Sequence, residues 1–251
     1  MEKLKLVSSM RLLFEGWRTY ISEVHRIPSF QLYVDLDGVL VDFRRGAVDT
    51  INADLQTPER VPEGLRKKYN KMVRALKDTG RSPQREGSWK VTAEDFDKKS
   101  ENRINAVRNY MYPRFQDDLQ FWSELNWIEP DGHTLWEAVK DMNPPPIILT
   151  SPMHGQGSHK GKEIWVQNNL GINNNRVIVE RDKWKYATGK NGEQNILIDD
   201  TPEKIKDWET PPSETEERLG GIGILHTSVA DTLKKLSAFR ENNDVSEMPL
   251  G

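Results

Sequence analysis

Short apolar runs alternate with amphipathic stretches in the second half of the chain. The runs are short enough for buried strands, and the stretches between them place apolar residues at helical spacing. Strands that alternate with helices indicate a parallel sheet with right-handed crossovers. The predicted strands are 147–149, 176–180, 195–198 and 223–225, and the predicted helices are 132–142, 160–170 and 229–239. The pattern therefore predicts an α/β fold.

The first half of the chain contains one more strand-like run, followed by a long polar stretch. Residues 30–34 read FQLYV, which predicts a buried strand that leads directly into Asp35. From 44 to 127 no run has the character of a strand, and the sparse apolar residues recur at helical spacing. These residues are Leu65, Tyr69, Met72, Val73, Leu76, Ile104, Val107, Tyr110 and Met111. We therefore expect a helical insert at 44–127 within a core domain formed by 30–43 and 128–240.

The two ends of the chain have different characters. Leu13, Trp17, Tyr20 and Val24 form one apolar helical stripe. The stripe predicts a helical extension over 1–29, and such a stripe more often packs on the domain behind it than on an outside partner. Residues 241–251 are polar and predict a flexible tail.

Composition and charge exclude several classes of protein. The 251 residues include 36 Lys and Arg against 39 Asp and Glu, and the net charge of −3 argues against a nucleic-acid coat or a polybasic membrane binder. The absence of cysteine excludes disulfides, thiolate zinc sites and a cysteine nucleophile. No apolar run approaches the ~20 residues of a membrane span. We expect a soluble, cytoplasmic protein with no membrane partner, and a homodimer stays open.

Three of the predicted strands end in pairs of polar residues. The pairs are Asp35 and Asp37, Thr150 and Ser151, and Asp199 and Asp200. Any one pair is also common in turns and helix caps, but in a parallel sheet ligands bind beyond the carboxyl ends of the strands. Four carboxylates at one sheet edge repel each other unless a cation lies among them. Because all the ligands would be oxygens, Mg²⁺ is the expected ion.

The same segments resemble the haloacid dehalogenase (HAD) superfamily of phosphohydrolases. DLDGVLVDF at 35–43 is similar to its first motif, Thr150-Ser151 to its second and Ile198-Asp199-Asp200 to its fourth. The resemblance is closest to the 5′(3′)-deoxyribonucleotidase branch. It is carried by Leu149-Thr150-Ser151-Pro152, Lys162-Glu163-Ile164-Trp165-Val166, Arg181-Asp182-Lys183 and Ile196-Leu197-Ile198-Asp199-Asp200. It covers 30–43 and 147–200, and is absent from 1–29 and 44–127.

This resemblance implies a Rossmann-like HAD core with a parallel sheet, and a helical cap of the C1 type between the first and second motifs. It also implies a Mg²⁺-dependent phosphomonoesterase that works through an aspartyl-phosphate. Asp35 would be the nucleophile and Asp37 the general acid and base. The metal would be held by Asp35, the Asp37 carbonyl and Asp199, with Asp200 orienting the lysine or the metal waters.

The resemblance further implies a phosphate cradle and a lysine. Gly38, Thr150 and Ser151 would hold phosphate oxygens. Lys183 is the first choice for the third-motif lysine, and Lys162 is a second phosphate contact. The loop between Lys183 and Asp199 is longer than expected for the branch, so Lys185 or Lys190 could reach the site instead. Phe43 and Arg181 are expected to contact the substrate, with Phe43 on a nucleobase.

Several substrates stay open at this point. A nucleoside monophosphate, preferably deoxy, is the expected substrate, with a small sugar phosphate as an alternative. Residues 60–90 contain ten Lys and Arg against three acidic residues, which suggests a phosphatase acting on polynucleotide ends, or only a solvated helix face. A non-catalytic HAD-fold binding protein is disfavoured, because such proteins usually lack the first or second aspartate and both are present.

Overall fold

A computed structural model of the chain describes residues 30–77, 91, 102–210 and 220–242. The predicted helix over 1–29 lies outside the described residues. So does most of the predicted tail, although the last helix continues to Asn242. Within the described part of the chain, no helix combines the length and the apolar character needed to cross a membrane.

Five parallel strands form a single sheet, as the sequence pattern predicts. The strands are β1 (Leu32–Val34), β2 (Ile147–Thr150), β3 (Val177–Val179), β4 (Ile196–Asp199) and β5 (Ile222–Leu225). Their order across the sheet is β3-β2-β1-β4-β5. Val34 is in register with both Ile148 and Ile198, so the three central strands end at the same edge of the sheet, with β2 and β4 continuing one or two residues past β1. The predicted α/β fold with a parallel sheet is confirmed.

Except for Thr150 and Asp199 at their carboxyl ends, the central strands are apolar, because helices cover both faces of the sheet. Their fully buried residues include Leu32, Val34, Ile148, Leu149, Ile196, Leu197 and Ile198. The helices are α1 (Phe43–Gln56), α2 (Arg66–Lys77), α3 (Asn102–Phe115), α4 (Leu119–Ser123), α5 (Asp131–Val139), α6 (Gln156–Leu170), α7 (Pro202–Glu209) and α8 (Val229–Asn242). Helix α6 begins four residues before the predicted start, and α5 ends three residues before the predicted end.

The segment predicted to be helical, 44–127, contributes α1 to α4, which lie between β1 and β2 in the chain. One apolar cluster joins side chains of this segment, such as Tyr110 and Trp122, to sheet residues such as Val34. The division of the chain into a core and a separate cap domain stays a prediction.

Helix α6 closely approaches α4 and the residues just before it, 116–118, at two of its glycines. A Cβ atom placed on Gly157 would lie 2.5 Å from the carbonyl oxygen of Asp117, and one on Gly161 would lie 2.9 Å from that of Leu119 and closer still to the Cβ of Trp122. The Ser158 N–H also donates to the carbonyl of Gln116 at 3.0 Å. We call this contact the α4–α6 seam. It joins the helical segment directly to the helix that follows β2.

We expect Gly161→Ala to destabilise the protein, although alanine favours a helix over glycine. The added methyl group has no free space in the seam, and overpacking of this kind costs about 1–3 kcal/mol. Urea unfolding followed by circular dichroism would measure the change. Gly64→Ala is the matched control, because a Cβ there meets nothing within 4 Å. A Gly161→Ala protein as stable as the wild type would contradict the tight seam.

Candidate active site

The carboxyl ends of β1, β2 and β4 bring the predicted polar residues to one edge of the sheet. The Asp35 N–H donates to the Ile198 carbonyl at 2.9 Å, so the hydrogen bonding between β1 and β4 continues past Val34, the last residue of β1. A cavity of about 690 Å³ opens at this edge. The predicted site residues that line it are Asp35, Asp37, Gly38, Phe43, Ser151, Lys183 and Asp200.

Lys183 joins the ends of β1 and β4. Its Nζ lies 2.8 Å from Asp35 Oδ1 and 2.6 Å from Asp199 Oδ2, and its side chain is only 2% exposed. Burial lowers the pKa of Lys183, but the carboxylates of Asp35 and Asp199 outweigh burial and the net shift is upward. The ammonium group therefore keeps its charge beside Asp35. The backbone N–H of Leu36 also donates to Asp35 Oδ1 at 2.7 Å, and the backbone N–H of Thr201 donates to Asp199 Oδ1 at 2.8 Å.

Lys162 joins the ends of β1 and β2. Its Nζ donates to Asp37 Oδ2 at 2.5 Å, to the Ser151 carbonyl at 2.6 Å and to Thr150 Oγ1 at 3.1 Å. Lys162 and Thr150 are both buried, and neither lines the cavity. Both therefore lie behind the cavity wall, whereas Ser151 and Asp37 form part of it.

Gly38 allows Asp200 to approach the first aspartates. Its φ is +81°, a region that other residues rarely adopt, and a Cβ there would lie 2.5 Å from Cγ of Asp200. Burial and the negative charge of Asp35 raise the pKa of Asp200. Burial likewise raises the pKa of Asp199, to about 6, with Asp35 adding to the shift. Burial is therefore the larger cause of both pKa shifts, and the negative charge of Asp35 is the second.

The carboxylates of Asp35, Asp199 and Asp200 fit a divalent cation. Each offers one oxygen, and these oxygens lie within 4.8 Å of one another. When all are ionised, these three residues and Asp37 carry four negative charges, against the two positive charges of Lys162 and Lys183. One divalent cation balances the remaining charge, and an all-oxygen donor set is the kind that Mg²⁺ prefers. The carboxylate of Asp37 accepts from Lys162 through Oδ2 and is not part of this group of converging oxygens.

Two buried oxygens at the cavity have no hydrogen-bond partner among the described residues. They are Oδ1 of Asp37 and Oγ of Ser151. Leaving a buried polar atom without a partner costs about 1–3 kcal/mol. Both atoms belong to residues that line the cavity, so a bound ligand is the natural partner for each. A hydroxyl group can donate to a phosphate oxygen, and a carboxyl group can exchange a proton with an ester oxygen.

The other residues predicted to contact the substrate or phosphate differ in whether they line the cavity. Phe43 lines the cavity and stacks on Trp122, with ring centroids 5.1 Å apart and planes 6° apart. Arg181 is exposed, lies 3.2 Å from His154 Nε2 through Nη2, and does not line the cavity. Lys185 pairs with Glu180 and Asp182 on the surface, and Lys190 is exposed. Of the four candidate lysines, Lys183 is the one that contacts Asp35.

The cavity has a second wall that the sequence analysis did not identify. It includes Asp131 at the start of α5, Lys204 of α7, and His226 and Thr227 directly after β5. The His226 N–H donates to the Asp199 carbonyl at 2.8 Å, and its Nδ1 lies 2.9 Å from Thr232 Oγ1. Burial lowers the pKa of His226, which favours the neutral ring at pH 7. In the sequence, the polar run His226-Thr227-Ser228 directly after a fourth predicted strand could have indicated this wall.

Comparison with known proteins yields structural likeness only. No protein-family model and no curated protein matches the chain. Among solved structures, a hydrolase from Streptococcus pneumoniae TIGR4 is 14% identical with a TM-score of 0.40, and the match covers 83% of this chain and 99% of that one. A phosphonoacetaldehyde hydrolase-like protein from Oleispira antarctica is 16% identical with a TM-score of 0.38, over 88% and 96%. The magnesium-bound candidate HAD hydrolase YfnB from Bacillus subtilis is 13% identical with a TM-score of 0.37, over 84% and 97%.

Proposed function

We propose that this protein is a Mg²⁺-dependent phosphomonoesterase of the HAD type that works through an aspartyl-phosphate. The observation that carries the proposal is the convergence of Asp35, Asp37 and Ser151 on one cavity, with Lys183 paired to Asp35. Four carboxylates, two buried lysines and an unpaired hydroxyl are more than a helix cap or a turn requires. They are the groups needed to bind a phosphate ester and to attack it.

The proposed reaction has two steps. The Asp35 carboxylate attacks phosphorus in line, the phosphorus–oxygen bond to the alcohol breaks, and Asp37 gives its proton to the departing oxygen. Water then attacks the aspartyl-phosphate and returns a proton to Asp37, which frees inorganic phosphate and restores Asp35. Burial raises the pKa of Asp37 despite the opposing effect of Lys162, and a raised pKa suits a carboxyl group that must donate a proton.

The remaining residues hold the phosphoryl group. Lys183 would neutralise charge on Asp35 and on the transferred oxygens, and the Ser151 hydroxyl would bind those oxygens, whereas the Gly38 N–H already donates to the Val41 carbonyl at 2.9 Å. Asp35, Asp199, Asp200 and the Asp37 carbonyl would hold Mg²⁺. When bound, the ion supplies positive charge that favours attack by one anion on another.

For the substrate we propose a nucleoside monophosphate, preferably deoxy. The cavity of about 690 Å³ is within the size range of small-molecule sites. Phe43 offers an aromatic contact at the cavity for a base, and His226 and Thr227 offer polar groups. The helices within 44–127 would act as a C1 cap over this substrate. A small sugar phosphate is the nearest alternative, since it would use the same phosphate site and leave Phe43 unused.

A panel of phosphomonoesters assayed with Mg²⁺ tests this proposal. We expect phosphate release from a deoxynucleoside monophosphate at a higher kcat/KM than from sugar phosphates, and full loss on chelation. Mg²⁺ alone should also raise the melting temperature, because a ligand at 100 times its Kd adds about 2.7 kcal/mol of stability. Asp199→Asn should remove that gain. No release from any phosphomonoester would contradict the proposal.

The exposed face of α2 favours a second candidate, a phosphatase acting on polynucleotide ends. Helix α2 contains no acidic residue, and Tyr69, Met72 and Leu76 are buried beneath it. Its exposed residues are basic except for Asn70, and they are Lys67, Lys68, Lys71, Arg74 and Lys77. Basic side chains repeated along one helix face match the repeated charges of a phosphate backbone.

Salt dependence separates the two candidates, because binding a strand releases several counterions and binding a mononucleotide releases few. We expect a shallow salt slope and a lower kcat/KM on a 3′-phosphorylated oligonucleotide than on a deoxynucleoside monophosphate. A steep slope with preference for the oligonucleotide would replace the first candidate by the second. In that case the triple variant K67E/K71E/R74E should weaken oligonucleotide binding, whereas K160E/K206E/K234E, with the same change of charge on other exposed lysines, should not.

A further inference from the structure

Lys162 has no N–H group left for a substrate. An ammonium group has three donors, and those of Lys162 are directed to Asp37 Oδ2, Thr150 Oγ1 and the Ser151 carbonyl. The side chain is 1% exposed and does not line the cavity. Lys162 is therefore placed to hold protein groups at the ends of β1 and β2, and a phosphate would have to displace one of them.

The fourth neighbour of this ammonium group is an aromatic ring. Nζ of Lys162 lies 4.8 Å from the centre of the Trp122 ring, within the range of a cation–π contact. Such a contact stabilises a positive charge that burial has removed from water. The ring belongs to α4, forty residues before Lys162 in the chain, so the two meet only through the fold.

Trp122 is itself fixed on three sides. Its Nε1 donates to the Phe115 carbonyl at 2.8 Å, its ring stacks on Phe43, and its Cβ packs against Gly161 in the α4–α6 seam. Gly161 directly precedes Lys162, so the seam sets the distance between ring and ammonium group. A residue held this firmly can determine where its neighbour lies.

Lys162 in turn fixes one oxygen of Asp37 and leaves the other available. Oδ2 accepts from Lys162, while the buried Oδ1 has no partner among the residues that the structure describes. An acid that must reach a departing oxygen needs one carboxyl oxygen anchored and the other directed at the substrate. The Trp122 ring, Lys162 and Asp37 thus form a continuous chain of contacts from α4 to the cavity.

We propose that Trp122 and Lys162 are positioning residues that aim Asp37 at the oxygen of the leaving group. The inference rests on the proposed function and adds to it an explanation of what orients the carboxyl group of Asp37. In this proposal Lys162 binds the general acid, Asp37, and is not a ligand of the phosphate.

Leaving groups of different basicity test the inference, because only a basic leaving group needs a well-placed proton. In single turnovers, we expect Trp122→Leu to slow the release of propanol from propyl phosphate about tenfold more than the release of 4-nitrophenol from 4-nitrophenyl phosphate. The factor is only a part of the ~10²–10⁴-fold that a general acid contributes, because Trp122→Leu leaves Asp37 in place. KM for both should change little. Trp122→Phe keeps an aromatic face and should restore most of the ratio.

Trp136→Leu is the matched control. Trp136 is a buried tryptophan of α5 that does not line the cavity, so its loss should lower the melting temperature and leave the ratio unchanged. All variants are compared below their melting temperatures, and Lys162→Met keeps the inference testable if Trp122→Leu does not fold.

Lys162→Met separates the two roles of the lysine. A positioning role predicts slower chemistry on propyl phosphate with nearly unchanged KM. A raised KM for both substrates would instead make Lys162 a phosphate ligand and overturn the inference, as would equal loss of rate on both substrates in Trp122→Leu. If the wild type hydrolyses neither substrate, the proposed function fails and the inference falls with it.

Discussion

Asp35→Asn should abolish turnover while the protein stays folded. The amide cannot attack phosphorus and is a poor metal ligand, so we expect a loss on the order of 10⁴-fold or more. The fold should persist, because the substitution leaves the backbone hydrogen bond from position 35 to Ile198 in place and removes one of several crowded carboxylates. Phosphate release measures the activity, and circular dichroism with thermal melting measures the fold.

Two further measurements make this result specific to a covalent mechanism. Rapid quenching of the wild type during turnover should yield protein whose mass is increased by one phosphoryl group, and Asp35→Asn should show no such species. Asp49→Asn removes the same charge from an exposed helix position and should leave the rate unchanged. Near-normal turnover by Asp35→Asn would falsify the covalent mechanism.

Asp37→Asn should spare metal binding and lose catalysis of proton transfer. The carbonyl remains for the metal and the amide oxygen can still accept from Lys162, but the side chain can no longer donate a proton. We expect the first turnover of a deoxynucleoside monophosphate to slow by ~10²–10⁴-fold. The first turnover of 4-nitrophenyl phosphate should slow far less, since its leaving group departs without protonation.

The second step gives an independent check on Asp37. Because the same carboxyl group takes a proton from the attacking water, the aspartyl-phosphate of Asp37→Asn should persist and a burst of one 4-nitrophenol per active site should precede slow turnover. Stopped-flow absorbance would detect the burst. Equal loss of first-turnover rate on both substrates would argue against Asp37 as the general acid.

The sheet and its polar edge could be predicted because contiguous residues encode them. A buried strand and the polar residues after it are neighbours in the chain, so FQLYV followed by Asp35 identifies both the strand and its functional end. The parallel pairing then follows from the alternation of strands and helices. Once β1, β2 and β4 are adjacent, Asp35, Ser151 and Asp199 have to lie close together.

The choice among the lysines depends on local geometry that periodicity does not encode. A short 3₁₀ turn over Lys183–Tyr186 buries Lys183 against Asp35, whereas Lys185 lies on the surface beside Glu180. The role of Lys162 is less accessible still. Its environment is completed by Trp122 from a distant helix, and only tertiary packing shows that all three of its donors are occupied.

The α4–α6 seam also bears on the route by which a phosphoester reaches Asp35. The contacts at Gly157 and Gly161 are so close that entry between these helices would require their separation, which would also remove Trp122 from Lys162. The cavity itself is lined by Arg44 and Lys204 as well as by Asp131 and His226, and we expect the substrate to enter past these residues. The positive charges of Arg44 and Lys204 would attract an incoming dianion to a cavity that is otherwise rich in aspartates, and so guide its diffusional encounter with the site.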